Sequence, residues 1–279
     1  MKNALTAIAV LASLTIPTAA KAAILNGGFE DNLTGWEAIG DYRVETSAFG
    51  TEPVEGNSQA FLSTAFNEVV DLDEGTEILG GNAVPTTFIS GFAEAQSLEG
   101  FFGASTFLGD ESFDSLATAT PIEGSALKQT FTAGAGDTVS FSWNLLTNES
   151  SDRAAVDDRT YPDFNDFAFA LIQSDSGSQW FLADTVAGLN PSSTSFESET
   201  GFRTFSYTIP TAGNYTLGIG VVDVGEPTRI SGLLVDNVEA VPEPNSILGT
   251  VGMLFLGAGW GLSVHKRKQK RITPSLDKR

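Results

Sequence analysis

Apolar residues return at every second position through much of the chain's second half. Val139, Phe141, Trp143 and Leu145 alternate with Ser140, Ser142 and Asn144. Phe205, Tyr207 and Ile209 alternate with Thr204, Ser206 and Thr208, and Tyr215, Leu217, Ile219 and Val221 follow the same rule. A period of two belongs to a strand with one buried face; a helix repeats its faces every 3.6 residues and would scatter these side chains all round. Residues 210–214 read as the turn joining the last two strands. Residues 59–65, 126–132, 167–173, 179–186 and 230–238 read as further strands. About nine strands, with Gly, Asn and Asp between them, predict an all-β fold built as an antiparallel β-sandwich.

One region breaks the pattern. Residues 66–125 form an insertion too long for a structureless loop. Residues 94–102 and 111–116 are expected to be short helices, with Asp110 as N-cap of the second. Phe101, Phe102, Phe107, Leu108, Phe113 and Leu116 are then expected to close one end of the core as a hydrophobic lid.

The two ends of the chain differ from its body. Residues 1–22 have a positive start at Lys2, a short apolar stretch and a small-x-small site at Ala20-Lys21-Ala22, the pattern of a secretory signal peptide. At the other end, Val241-Pro242-Glu243-Pro244 is a stiff extended tetrapeptide. Residues 247–264 follow as a run of 18 without a formal charge, long enough as a helix to span about 27 Å. Lys266, Arg267, Lys268, Lys270 and Arg271 then form a basic stop, which places the body on the outer side of the membrane.

Order, spacing and terminal position make this tail resemble the PEP-CTERM sorting signal, with Pro242, Glu243 and Pro244 as its triplet. The resemblance implies export, transient anchoring by a single transmembrane helix and processing by an exosortase at the cell envelope. The short extension 272–279 departs from the family's tails, which stop soon after the basic cluster. A plain anchor that is never cut is the other reading of the same residues.

Between residues 23 and 241 there are 6 basic and 33 acidic residues, a formal charge of −27 against −20 for the whole chain. Such a body repels nucleic acid and anionic lipid and attracts cations. There is no cysteine, so the fold rests on its core or on metal. Its 219 residues suffice for one core, residues 23–240 forming a single domain.

The body carries a second resemblance. Asn26-Gly27-Gly28-Phe29-Glu30 with Gly35-Trp36 resembles the opening strand of jelly-roll carbohydrate-binding modules, and Leu233-Leu234-Val235-Asp236-Asn237-Val238 resembles their closing strand. This implies a jelly-roll-like sandwich whose first and last strands pair and share a structural Ca²⁺. Glu30 and Asp236 would be ligands, with Asn26 a third. The other reading is that both acids bond turn backbone. A second acidic group follows the Trp143 strand, where Glu149, Asp166 and Asp223 each stand at the edge of an expected strand. If those edges meet, the three carboxylates converge and call for Ca²⁺ or a proton; otherwise they belong to a solvated acidic loop pairing locally with Arg153 and Arg159.

The only histidine, His265, lies in the basic stop. Cys-His and Ser-His catalysis and histidine-based zinc sites are therefore absent from the body. The sequence thus points to an exported non-catalytic surface or matrix protein associating with exopolysaccharide, with Trp36, Tyr42, Tyr161 and Trp180 as candidates for sugar stacking. The alternative is a Ca²⁺-dependent structural or adhesive protein. A glycan hydrolase using a carboxylate pair ranks below both.

Overall fold

The structure is a computed structural model and describes residues 23–66, 68–72, 75–79, 81–86, 97–103, 121–149, 165–174, 178–185, 188–225 and 229–242. In chain order its strands are β1 (Glu37–Ile39), β2 (Asp41–Glu45), β3 (Gln59–Ser63), β4 (Glu68–Leu72), β5 (Gly75–Leu79), β6 (Val84–Pro85), β7 (Pro121–Ala133), β8 (Thr138–Thr147), β9 (Phe167–Gln173), β10 (Ser178–Asp184), β11 (Asn190–Pro191), β12 (Ser198–Glu199), β13 (Arg203–Thr208), β14 (Gly213–Val224) and β15 (Ser231–Val241). One short helix, α1 (Leu98–Phe102), lies between β6 and β7.

Two antiparallel sheets face each other. The six-stranded sheet runs β1-β7-β14-β9-β10, with β6 also paired to β7. The seven-stranded sheet runs β11-β12-β8-β15-β3-β2, with β13 also paired to β8. The chain changes sheet at most of its long connections, in the jelly-roll manner expected. β4 and β5 pair only with each other.

The alternation read from the sequence sets the core. Leu127, Phe131, Tyr215, Leu217, Ile219, Val221, Ala168, Ala170 and Ile172 point inward from one sheet. They meet Val139, Phe141, Trp143, Leu145, Leu233, Val235 and Leu62 from the other. Each fully buried large side chain here contributes roughly 1.5–3 kcal/mol.

Residues 210–214 are the expected turn between β13 and β14, and it carries the chain across the sandwich: β13 pairs with β8 in one sheet and β14 with β7 and β9 in the other. Both strands have the right inward residues, but alternation does not say which neighbour a strand takes. Several expectations are corrected. The supposed insertion ends early, because β7 begins at Pro121, and it holds strands as well as a helix. Its helix is shorter than expected. Ser97 caps it, Oγ accepting from Gly100 N at 3.1 Å, and Gly103 ends it in the left-handed region at φ 67°. Residues 104–120, with the second expected helix and Phe107, Leu108, Phe113 and Leu116, lie outside the described residues.

The helix covers a face of the sandwich, not an end. Leu98 and Phe102 pack on the outer side of the six-stranded sheet against Ala126, Phe167, Phe169, Leu171, Val222 and Val224. Gly218 leaves the room, since a Cβ there would sit 2.4 Å from the Phe102 ring. Lys128 holds the helix from below. Its Nζ donates to Phe101 O at 2.6 Å and lies 4.2 Å from the centre of the Phe101 ring.

The chain passes from β1 in one sheet to β2 in the other at Gly40, whose φ is 91°. A Cβ at Gly40 would lie 2.3 Å from Ser125 Oγ and 2.8 Å from Gly124 O. Gly40→Ala therefore combines a left-handed backbone with a clash against β7. It is expected to cost about 2–4 kcal/mol, measured as a lowered urea midpoint at unchanged m-value.

Candidate functional site

Two features stand out once the sandwich is assembled: a groove on the outer face of the seven-stranded sheet, and a row of acids where the inter-sheet core ends.

The groove encloses about 240 Å³ and is lined by Asp41, Arg43, Phe61, Ser63, Ala65, Asn148, Ser195, Phe196 and Ile230. On this outer side Phe61, Leu146, Phe196 and Leu234 form a small second core, with Phe49, Phe202 and Ile230 packed on it. The rings of Phe49, Phe61 and Phe196 stand 5.0 to 6.5 Å apart. Arg43 lies over this aromatic floor, its guanidinium carbon 4.2 Å from the Phe61 ring centre. Asp41 and Glu45 flank that guanidinium as ion pairs, and Ser63 Oγ donates to Asp41 Oδ2. Asn148 Oδ1 accepts from Glu197 N at 3.0 Å. The groove therefore offers a guanidinium, a carboxylate and hydroxyls above apolar rings. The Phe61 ring is covered by Arg43, so the groove exposes chiefly polar groups.

The four aromatic residues singled out from the sequence are not gathered there. Trp36 is only 8% exposed and belongs to the inter-sheet core; its Nε1 donates to Asn26 O and its ring lies 5.5 Å from that of Phe29. It has no free face for a sugar. Trp180 is half-buried against Phe205 and Tyr207, with ring centres 5.3 and 4.6 Å away, where the edges of the two sheets meet. Tyr42 on β2 is exposed, and Tyr161 lies outside the described residues. Arg43 was missed because it does not break the strand pattern, and Phe196 because it lies in a connection between β11 and β12 that carries no period.

Glu30 and Asp236 serve one loop, residues 54–58. Glu30 Oε1 accepts from the backbone amides of Asn57 at 2.6 Å and Ser58 at 2.8 Å. Asp236 Oδ2 accepts from Val54 N at 2.6 Å and Glu55 N at 2.8 Å, and its Oδ1 from Asn237 N at 2.7 Å. The Asn57 amide above all holds the Glu30 carboxyl below its ordinary range. Burial pushes Asp236 the other way despite its three amides. Asn26 is engaged locally, its Nδ2 donating to Asn32 O and Thr34 O and its Oδ1 accepting from Asp31 N.

The implied opening strand is absent. Asn26 and Phe29 have φ of 50° and 56°, so this segment turns, and a single bond from Val238 N to Gly27 O at 3.0 Å joins it to β15.

Of the second acidic group, the sheet register brings Asp166 and Asp223 together, but among the described residues no three acids gather closely enough to hold a metal ion. In β7, β14 and β9 the inward-facing series of the core continues past its last apolar residue into Glu123, Asp223 and Asp166. The register places the three side by side. Val222 pairs with Gly124 on one side and Phe167 on the other, and the next step brings Asp223 between Glu123 and Asp166, at a β-bulge against β7.

Across the sandwich the inward rows of β3, β15 and β8 end in Thr64, Ser231 and Thr147. Ser231 Oγ donates to Asp166 Oδ2 at 2.6 Å and stands 2.8 Å from Thr147 Oγ1. Thr147 Oγ1 also accepts from Glu149 N at 2.9 Å. Asp166 Oδ1 accepts from Val224 N at 3.0 Å. Asp223 is 1% exposed, and among the described residues neither of its oxygens has a hydrogen-bond partner. Burial above all pushes both aspartates well above the ordinary carboxylate range. At Asp223 the charges of Asp166, Glu123 and Glu149 act the same way; at Asp166 those of Glu149 and Glu123 do, against hydrogen bonds from Ser231 and Val224.

Glu123 was missed from the sequence because it fell inside the supposed insertion. Arg153 and Arg159 lie outside the described residues, as do the signal peptide, Glu243, Pro244, the apolar run and the basic stop; Pro242 follows directly on β15. Among the described residues no helix is long and apolar enough to cross a membrane.

No family model matches the chain, and no curated protein does. Solved structures with a similar course of the chain include TmCBM61 in complex with β-1,4-galactotriose, with a TM-score of 0.39 at 9% identity over 80% of this chain and 100% of that one. A family 16 carbohydrate-binding module gives 0.35 at 10% identity, over 78% of this chain and 98% of that one. The enzymatically active domain of the bacteriophage CBA120 tailspike protein 4 gives 0.35 at 9% identity, over 79% and 21%. The ligand and the activity in these names belong to those proteins.

Asp236→Ala strips three amides of their buried acceptor. It is expected to cost about 1–3 kcal/mol and to speed hydrogen exchange at Val54 and Glu55.

Proposed function

We propose that the chain is an exported, non-catalytic protein of the cell surface or extracellular matrix whose β-sandwich associates with exopolysaccharide. Its tail, by resemblance, directs it to the envelope for exosortase processing, anchored by its apolar run until then. The observation that carries the binding reading is the outer groove. Arg43, Asp41, Ser63, Ser195 and Asn148 set donors and acceptors of both kinds around an aromatic floor. Polyhydroxylated ligands are recognised through such mixed polar rims above apolar surface. The body's charge of −27 adds that the polymer is neutral, since an anionic polysaccharide would be repelled.

Affinity electrophoresis of the full chain in gels containing neutral exopolysaccharides tests this. Wild type is expected to be retarded, and Arg43→Ala to lose about tenfold in affinity, the worth of one good charged hydrogen bond. Equal retardation of both, or none of either, would overturn the groove as the binding site. The sorting reading has its own check. Expressed in cells that carry an exosortase, the chain is expected in the membrane fraction before processing, whereas a chain ending at Val241 is released in soluble form.

A further inference from the structure

We propose that a hard divalent cation, Ca²⁺ by its chemistry, binds between the two sheets where their core ends, held by Asp223 and Asp166 with Ser231 and Thr147 beside them. The inference is independent of glycan binding.

The geometry is that of two facing rows. Glu123 and Asp223 stand on β7 and β14, with Asp166 just before β9; Ser231 and Thr147 stand on β15 and β8, with Thr64 just after β3. All six continue the inward series of the core, so carboxylates from one sheet meet hydroxyls from the other. Hydroxyl and carboxylate oxygens are the donors hard cations take, and nothing softer is present.

Asp223 is the residue that asks for a ligand. Its neighbours in the layer are hydrogen-bonded: Asp166 by Val224 and Ser231, and Ser231 also by its own amide to Thr64 Oγ1 at 3.0 Å. Asp223 has both oxygens buried and, among the described residues, bare. An unsatisfied buried carboxylate is destabilising, because it has given up water and gained no donor in return. A single proton would cap one of its two oxygens and remove one charge. A divalent cation can take both oxygens at once and offset the Asp166 charge as well.

Among the described residues no three acidic side chains are already gathered into a ligand shell. The aspartate pair therefore supplies the charge, while hydroxyls and water complete a coordination of about six to eight oxygens. The bulge at Asp223 lies where β7 and β14 depart from regular pairing, which lets the carboxylate move onto an ion without breaking the ladder below it.

The test uses the full chain in mild detergent, stripped with chelator and titrated with Ca²⁺ or Mg²⁺ by calorimetry and thermal melting. Wild type is expected to bind Ca²⁺ and to gain about 5–10 °C in Tm at a hundredfold excess over Kd. Asp223→Asn is expected to lose at least tenfold in Ca²⁺ affinity, yet to melt in chelator at or above wild type, because the amide removes a repelled charge. Asp236→Asn, at the other acidic pair, should keep the full Ca²⁺ response. If Asp223→Asn does not fold, retention of one Ca²⁺ per chain by Asp236→Asn supports the site and its loss overturns it. The proposal also fails if Asp223→Asn binds Ca²⁺ as wild type does. It fails equally if wild type ignores Ca²⁺; a Tm that then rises as pH is lowered from 7.5 to 5 would assign the layer to a shared proton.

Discussion

The apolar layer between the two sheets is the contact on which every other feature depends. It is made by side chains two residues apart on strands of both sheets, so a one-residue slip in any strand would turn its contribution to solvent. That coupling fixes register. Register in turn decides which polar residues end up side by side at the margins of the layer. Glu123, Asp223 and Asp166 are far apart in sequence, yet they share one row because their strands must align Leu127, Ile219 and Ala170 in the core below them.

The outer faces of the two sheets receive different treatment. The six-stranded sheet is covered by α1, made possible by the missing side chain at Gly218 and by the grip of Lys128 on the Phe101 carbonyl. The seven-stranded sheet is crossed by the segment carrying Phe196, which buries Phe61 and Leu146 but stops short of β2. The uncovered strip between Phe196 and Arg43 is the groove. The groove arises here from incomplete coverage of a sheet, with charged residues of an edge strand forming one wall. Charge on an edge strand also discourages pairing with another copy's edge, so Asp41, Arg43 and Glu45 can serve both ends.

The sequence made the strands legible to within a few residues wherever alternation ran for seven or more, as in β8 and β14. It did not reveal partners. The turn at residues 210–214 has the composition of a hairpin, and only the competition for β8 and β7 edges sends its two strands to different sheets. The Asn26–Glu30 stretch is expected as a strand only through its resemblance to carbohydrate-binding modules. Its positive φ at Asn26 and Phe29 is stabilised by burial of Phe29 against Trp36, a tertiary effect invisible to local pattern. The same burial took Trp36 out of the set of surface aromatics. The acidic layer was half legible. Asp166, Asp223 and Glu149 stood at strand ends, but Glu123 did not, because β7 begins within residues that have no clear period.

The contrast between Asp236 and Asp223 bears on what a buried carboxylate is for. Both are almost wholly inaccessible, and both sit near a bulge in a long strand. Asp236 is saturated by three backbone amides of a loop and its own successor, so its charge organises the chain and needs nothing else. Asp223 is surrounded by other acids, and among the described residues its hydrogen bonds are unmade. A purely structural role would be met more cheaply by Asn or Ser, which leave no charge to repel. Folding alone thus gives a reason for the aspartate at 236 and none for the one at 223. The cation proposed above, bound by the folded state and not by the unfolded one, would supply the missing reason. In a body with 33 acidic and 6 basic residues, a cation is the ligand the surrounding field would concentrate.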